Sequence, residues 1–201
     1  CGNGAYLNSS FNNFIGTGTA NKIIGCGSNA SVYNAILAGR DNEIGPETDP
    51  GGGEKIINSV IAGGRFNKIK SFGSTTTGFI GGGNGNSLSG TGFIGNTLSS
   101  CLSGINNGII AGFGINIYGC QGFISSGFCN TICADYSSII TGCCNTNTHN
   151  NSHVIGSNIT TVSGDMLHAQ TLYLSAAALP TIDPGVPGVV WRDGTNLKIS
   201  V

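Results

Sequence analysis

Charged residues are scarce in this 201-residue chain: Asp, Glu, Lys and Arg make up 8% of it, against about 25% in ordinary soluble domains. The formal net charge is −1, so the sequence has no basic surface of the kind that binds nucleic acid or anionic lipid. Disordered chains are charged and poor in apolar residues, whereas 39% of this chain is apolar. The composition therefore indicates an ordered protein that binds no nucleic acid.

Long apolar runs are also missing. No segment approaches the ~20 apolar residues of a membrane-spanning helix, and no basic stretch followed by an apolar one precedes residue 20. Neither a membrane span nor a signal peptide is predicted. The chain holds 35 Gly and many Asn, Ser, Thr and Ile, which favours strands and turns over helices. These glycines lack the every-third-residue spacing of collagen.

In place of charge and helix formers, the sequence has a repeat. Residues 108–117 read Gly-Ile-Ile-Ala-Gly-Phe-Gly-Ile-Asn-Ile: an apolar pair, a small residue, a Gly, and a turn that closes on Ile. Residues 59–69 and 78–88 follow the same pattern. If the second apolar residue of each pair is the anchor, the anchors from Ile80 onward follow one another at nearly even intervals. This period fits one coil of a small β-roll or β-solenoid, and the anchors predict about ten coils. The anchors are Ile15, Ile24, Leu37, Ile61, Ile80, Ile94, Ile110, Ile124, Ile140 and Ile155.

The apolar pairs predict two buried surfaces. Adjacent residues of a strand face opposite sides, so an apolar pair places one side chain in the coil interior and the other against a second chain. Because a single coil buries little apolar surface, we predict a parallel homotrimer. The second strand of each coil is expected to carry one apolar residue: Ile69, Leu88, Leu98, Ile117 and Ile132.

Composition divides the chain into a repeat shaft at residues 1–164 and a non-repetitive segment at 165–201. Within the shaft, the Pro- and Gly-rich stretch 45–54 is predicted to protrude as a loop. Residues 189–201 are predicted to form a terminal β-hairpin cap anchored by Trp191, the only Trp. A repetitive coil specifies its register poorly, so we expect the C-terminal segment to align the three chains.

The C-terminal residues resemble a known group of proteins. Leu179-Pro180-Thr181, Asp183-Pro184-Gly185-Val186-Pro187-Gly188, Trp191-x-Asp193-Gly194 and Leu197-Lys198-x-Ser200 are similar to the closing segment of phage tail-fibre and related virion proteins. The Ile-Ile-x-Gly-Gly-x-x-Asn repeat resembles β-roll repeats of such fibres and of trimeric autotransporter adhesin heads. The resemblance implies a trimeric shaft, which ends in this segment or continues into a chaperone domain that is removed.

Few residues are arranged for chemistry. Asp135, Asp165, Asp183 and Asp193 are scattered, whereas glycosidases need two carboxyl groups at a defined separation. His149 and His153 could bind a metal, but no third ligand or zinc-type spacing accompanies them, and a polar turn is the favoured interpretation. Gly81-Gly82-Gly83 is no phosphate loop, since no Lys-Ser/Thr follows. No catalytic, cofactor-binding or metal-binding residue is therefore predicted, and no receptor-contacting residue can be named.

The eight cysteines show no zinc pattern. We interpret them as small apolar filler between coils, with disulfides between coils or chains as the alternative. Cys1 is either the lipidated first residue of a lipoprotein or, as we favour, the boundary of a fragment.

Two classes of function remain. The first is a structural and adhesive protein of the virion: the distal part of a phage tail fibre that contacts a host-surface glycan or protein and other fibre or baseplate proteins. The alternative is a secreted bacterial trimeric adhesin or surface filament, located outside the cell or on its surface. An enzyme is not expected.

Overall fold

The computed structural model describes residues 6–8, 10–24, 31–45, 56–70, 76–171, 179–187 and 189–200, and this part of the chain is all-β. Of the predicted loop at 45–54 only residue 45 is among these residues, and Cys1 is outside them. The strands are β1 (Tyr6–Asn8), β2 (Ser10–Phe11), β3 (Phe14–Ile15), β4 (Lys22–Ile24), β5 (Ser31–Val32), β6 (Ala35–Ile36), β7 (Glu43–Ile44), β8 (Val60–Ile61), β9 (Lys68–Lys70), β10 (Gly78–Asn84), β11 (Ser87–Leu98), β12 (Cys101–Phe113), β13 (Asn116–Ile117), β14 (Phe123–Ile124), β15 (Thr131–Ile132), β16 (Ser138–Thr141), β17 (Thr146–Asn147), β18 (His153–Ile155), β19 (Leu167–Ala169), β20 (Val190–Asp193) and β21 (Asn196–Ile199).

The repeat is a β-solenoid with two parallel ladders, each strand pairing with its equivalent in the next turn. In the first ladder, which we call face 1, β3 pairs with β6, β6 with β8 and β8 with β10, and the ladder continues through β11, β12, β14, β16 and β18 to β19. One apolar residue per strand points inward and is buried. These residues are Ile15, Ile36, Ile61, Ile80, Ile94, Ile109, Ile124, Ile139 and Val154.

The second ladder, face 2, runs through β1, β4, β7, β9, the first halves of β11 and β12, β13, β15 and β17. Its buried rungs are Ile23, Ile44, Ile69, Leu88, Leu102, Ile117, Ile132 and the polar Asn147. The two sets of inward side chains form one continuous core between the faces. The predicted β-solenoid is thus confirmed.

From Val60 onward the described chain makes about seven turns. The interior residues from Ile80 to Val154 pair level by level along face 1, and their spacing in sequence is more even than that of the predicted anchors. Earlier turns are longer and include residues outside the described ranges. The predicted count of ten coils is therefore not confirmed.

Five predicted anchors are wrong by one position. In the pairs Ile23–Ile24, Ile36–Leu37, Ile109–Ile110, Ile139–Ile140 and Val154–Ile155, the first member is the buried one. Leu98 is also misplaced: it is exposed, and the interior position of that turn belongs to Leu102. The inward residue is the second one after a buried corner residue, as Ile109 is after Asn107. The corner before each strand therefore fixes which member of the pair points inward.

Buried asparagines stack along the corner that precedes face 2. The Asn42 backbone N–H donates to Asn21 Oδ1 at 3.1 Å, and the Asn67 N–H donates to Asn42 Oδ1 at 3.0 Å. Each side-chain amide also donates to backbone carbonyls, as Asn42 Nδ2 does to Ala38 and Gly64. The corner's buried polar groups are thereby satisfied. The stack is interrupted where Ser100 and Ile115, both buried, take the equivalent positions.

The corners require left-handed backbone. Fifteen non-glycine residues of the described chain have φ between 51° and 59°, among them Gln121, Cys129, Tyr136 and Cys144. Each adopts a conformation that L-residues disfavour by ~1–3 kcal/mol. Stacking between turns holds them there: Cys129 N–H donates to the Phe113 carbonyl and Cys144 N–H to the Phe128 carbonyl, both at 2.9 Å.

The chain divides into two compact units, Cys1–Gln170 and Thr171–Val201. Strand β19, which pairs with β18, extends to Ala169 and so passes the predicted shaft boundary at 164. In the second unit, β20 and β21 form an antiparallel hairpin with Trp191 opposite Lys198, which confirms the predicted hairpin. The Arg192 N–H donates to the Pro180 carbonyl at 2.9 Å, so the proline-rich segment packs along the hairpin.

Candidate interaction surfaces

The outer surface of face 1 consists of two rows of side chains. Row A holds the residue immediately before each interior residue, and row B holds the residue immediately after it, because strand neighbours alternate in direction. Row A contains Phe14, Ala35, Val60, Phe79, Phe93, Gly108, Phe123, Ser138, His153 and Leu167, and row B contains Gly16, Leu37, Ala62, Gly81, Gly95, Ile110, Ser125, Ile140, Ile155 and Ala169.

This surface is apolar and well exposed. The Phe, Leu and Ile side chains of the two rows are 38–56% exposed, and neither row contains Asp, Glu, Lys or Arg. The rings of Phe79 and Phe93 stack with centroids 5.4 Å apart and planes 3° from parallel. Contiguous apolar surface of this kind marks sites where proteins bind partners.

In most turns a large side chain in one row accompanies a small one in the other. A Cβ added to Gly16 would lie 3.2 Å from the Phe14 ring, and one added to Gly81 would lie 3.4 Å from the Phe79 ring. The phenyl rings therefore lie partly over the glycines of their own turns. In the turn of Ile110 the order is reversed, with Gly108 in row A.

A shorter apolar strip follows face 1 along the chain, at the corner before face 2. Leu98, Phe113 and Phe128 are exposed there, and the rings of Phe113 and Phe128 stack with centroids 5.2 Å apart. Sequence reasoning missed this strip because it assigned Leu98 to the interior. The even spacing of Leu98, Phe113 and Phe128 along the sequence was the available signal.

The outer surface of face 2 is polar. Its N-terminal part carries Lys22, Glu43 and Lys68 at successive levels, with Lys68 Nζ 4.0 Å from the Glu43 carboxylate. At later levels the equivalent residues are uncharged: Ser87, Cys101, Asn116, Thr131 and Thr146. A hydroxyl- and amide-coated strip of this kind suits hydrogen bonding to a neutral polar ligand.

The four scattered carboxylates each serve local structure. Asp135 Oδ1 accepts the Cys120 N–H at 2.6 Å, and Asp165 Oδ1 accepts Asn151 Nδ2 at 3.0 Å. Asp193 pairs with Lys198 at 2.7 Å. Asp183 accepts the Ser200 hydroxyl and the Gly185 N–H, and these bonds lower the pKa of its carboxyl group. None of these bonds joins two of the four carboxylates.

The two histidines considered for metal binding have separate partners. His149 Nδ1 lies 3.1 Å from Thr161 Oγ1, whereas His153 Nδ1 lies 2.8 Å from Ser138 Oγ on the outer surface of face 1. Across the described residues, no group of three His, Cys, Asp or Glu side chains is placed to hold a metal ion. Gly81-Gly82-Gly83 lies inside strand β10.

The interpretation of the cysteines as core filler is wrong for the six that the structure describes. Cys101, Cys120 and Cys143 are half-buried, Cys129, Cys133 and Cys144 are exposed, and all six are free thiols. They occupy corners and outward strand positions, which the repeat leaves open to small residues of any polarity. Burial raises the pKa of the Cys101 thiol, which the nearby Lys70 partly offsets.

The hairpin of the second unit contains two buried donors without acceptors, Trp191 Nε1 and Arg192 Nε. Leu197 and Ile199, which pair with Arg192 and Val190, are exposed, and the Lys198 ammonium lies 5.3 Å from the Trp191 ring centre. A two-stranded hairpin is only marginally stable in water, so these features fit a surface that packs against something further.

Comparison of the chain with family models, curated proteins and solved structures gives no match. In the part of the chain that the structure describes, no helix has the length and hydrophobicity to cross a bilayer.

Proposed function

We propose that the protein is a structural and adhesive fibre protein that assembles as a homotrimer. The observation that carries this proposal is the outer surface of face 1: two mostly apolar rows, without Asp, Glu, Lys or Arg, whose Phe, Leu and Ile side chains are exposed. A monomer would leave these rows in water. In the proposed assembly the solenoids run parallel and bury face 1 against one another. The ladder also supports about ten coils, since β3 and β6 continue it ahead of Val60.

Light scattering coupled to size exclusion tests the assembly. A homotrimer has a mass of about 60 kDa, three times the 20.3 kDa of the chain. The mass should persist in 1 M salt, because screening acts on charges and face 1 has none. A mass near that of one chain at micromolar concentration would contradict the proposal.

The favoured setting is the distal part of a phage tail fibre, with a host-surface glycan or protein as receptor and other fibre or baseplate proteins as neighbours. The uncharged hydroxyls and amides of outer face 2 are the candidate receptor surface, because face 1 is committed to assembly.

Receptor binding is tested on arrays of bacterial surface glycans and on host cells. The purified trimer should bind, and Thr131→Lys with Thr146→Lys, which place charge at the C-terminal end of outer face 2, should reduce binding at least tenfold without changing the mass. Glu43→Lys at the N-terminal end is the control. Detection of the chain in purified virions by mass spectrometry would separate a tail fibre from a bacterial surface filament.

A further inference from the structure

Most turns of the solenoid present one large and one small residue on outer face 1. In eight turns one row holds Phe, Leu or Ile while the other holds Gly, Ala or Ser. The large residue is in row A for Phe14, Phe79, Phe93, Phe123 and Leu167, and in row B for Leu37, Ile110 and Ile140. In every such turn the large residue forms what we call a knob on one side of the face, and the small residue leaves a hollow on the other side.

Two copies that run parallel about a common axis bring row A of one copy against row B of the next. If the copies are level, each knob meets a hollow: Phe79 lies opposite a copy of Gly81, and Ile110 opposite a copy of Gly108. Antiparallel copies related by a twofold axis would instead place row A against row A at reversed levels. The distribution of sizes therefore favours a parallel, level arrangement.

The order of knobs also penalises a slip along the axis. Over the five consecutive levels from Phe79 to Ile140 the knob lies in rows A, A, B, A and B. If one copy is shifted by one turn, each level of one copy faces the next level of the other. Only the levels of Phe79 and Phe93 then still place a knob opposite a hollow. At the other three steps knob meets knob or hollow meets hollow, which creates clashes and cavities.

We propose that outer face 1 encodes the register of self-association, with a second copy of this chain as its partner, parallel and level. This inference rests on the proposed homo-oligomer and identifies the surface and the alignment that it uses. The ladder spans nine steps of ~4.8 Å, and its two rows with their side chains form a strip ~12 Å wide, which gives roughly 500 Å² of face per chain. In the trimer each face is divided between two neighbours, so the three faces together bury roughly 1,500 Å² about the common axis.

A level assembly has a consequence for the second unit. A uniform repeat would let the chains shift along their common axis by whole turns, and the sequence predicts that the C-terminal segment aligns them. With the knob order on face 1, the coils carry alignment information of their own, and the hairpin adds to it.

The test exchanges a knob and a hollow without changing composition. The double variant Phe123→Ser with Ser125→Phe moves the knob from row A to row B on the same strand, and neither side chain makes a hydrogen bond in the structure. The matched control exchanges outward residues on face 2, Asn116→Tyr with Tyr118→Asn. We expect the face 1 exchange to weaken association at least tenfold by light scattering across a dilution series, and the control to leave it unchanged. Circular dichroism checks that both variants retain their β-content.

Register is read directly in an otherwise unchanged chain. A photo-reactive phenylalanine derivative replaces Ile110, and chains labelled with ¹⁴N and ¹⁵N are mixed so that crosslinks between chains carry both labels. A level, parallel assembly predicts crosslinks to residues 93–123 of the other chain.

Crosslinks to distant turns, or unchanged association of the face 1 exchange variant with retained β-content, would overturn the register inference and leave the homotrimer standing. A monomeric unmodified chain would overturn both. If the exchange variant loses its β-content, the crosslinks in the otherwise unchanged chain decide the matter.

Discussion

Replacement of Asn67 by alanine tests whether the stacked asparagines hold the corner together. Asn67 is fully buried, and its Oδ1 accepts the backbone N–H of Asn86 at 3.2 Å and Asn86 Nδ2 at 2.9 Å. Its Nδ2 donates to the carbonyls of Gly63 at 3.0 Å and Gly83 at 3.2 Å. One side chain therefore links its own level of the corner to the next.

The cost follows from which groups lose a partner. The Gly83 carbonyl still accepts the Arg65 N–H, and Asn86 Nδ2 still donates to the Gly82 and Thr97 carbonyls. The Asn86 N–H and the Gly63 carbonyl lose the partner that Asn67 supplies. A buried unsatisfied polar group costs about 1–3 kcal/mol, so Asn67→Ala is expected to destabilise the solenoid by about 2–5 kcal/mol. Water that enters the vacated space would keep the cost near the lower end.

Two further variants separate the causes. Asn67→Ile fills the space, as Ile115 does at the equivalent position three turns on, so the difference between Ala and Ile measures the cavity alone. Asn96→Ala, at an exposed position, should cost less than about 0.5 kcal/mol.

Urea unfolding followed by circular dichroism gives the stability, and hydrogen exchange gives the local effect. The Asn86 amide should lose protection in Asn67→Ala while amides beyond Thr131 keep theirs. If Asn67→Ala costs no more than Asn96→Ala and the Asn86 amide stays protected, the stacked amides contribute nothing to the corner.

Three other expectations concern single positions. Ile109→Asp buries an unpaired carboxylate and should destabilise the fold by several kcal/mol, which circular dichroism detects as lost β-content. Ile110→Asp, at a position 48% exposed, should leave the monomer folded but prevent self-association, which light scattering detects as a lower mass. Gly127→Ala should cost more than about 1–3 kcal/mol by urea unfolding, because φ is 134° and a Cβ would collide with the next turn, while Gly63→Ala, with open space around it, should cost almost nothing. The ionised Asp183 carboxylate stabilises the folded hairpin at a pH above about 3.8, its pKa in the unfolded chain, and this contribution is lost as the pH falls through the lower pKa of the folded state. Tryptophan fluorescence from pH 6 to 2 should therefore show a loosening of the hairpin in acid that Asp183→Asn removes. Identical pH profiles of the two proteins would contradict this role.

The sequence contained enough to predict the solenoid and the hairpin, because both follow from local chemistry. A short, nearly constant period of apolar pairs and glycines has few solutions, and Asp193-Gly194 between two apolar runs is a strong turn signal. Alternation within a strand shows that one member of an apolar pair is inside. It cannot show which member when both are Ile, as at Ile109–Ile110.

A second signal resolves that ambiguity in some turns. The buried corner residue precedes the interior residue by two, and the pattern Asn-x-Ile marks it at Asn21-Lys22-Ile23, Asn34-Ala35-Ile36 and Asn107-Gly108-Ile109. The candidate interaction surface depended on this choice. With the wrong member inside, the rows of outer face 1, and the alternation of large and small residues across them, could not be read from the sequence.

The left-handed corners have a consequence for how the molecule forms. Most turns hold two such residues, which at ~1–3 kcal/mol each make an isolated turn unfavourable, and its packing and hydrogen bonds with neighbouring turns reverse the balance. The free energy of the chain therefore rises while the first turns form and falls with each later turn, as in a one-dimensional array that needs a nucleus. Refolding on dilution out of urea should therefore proceed at a rate set by the formation of the first turns. Glycine at a corner such as Tyr136 should lower the nucleation barrier and so speed the reaction.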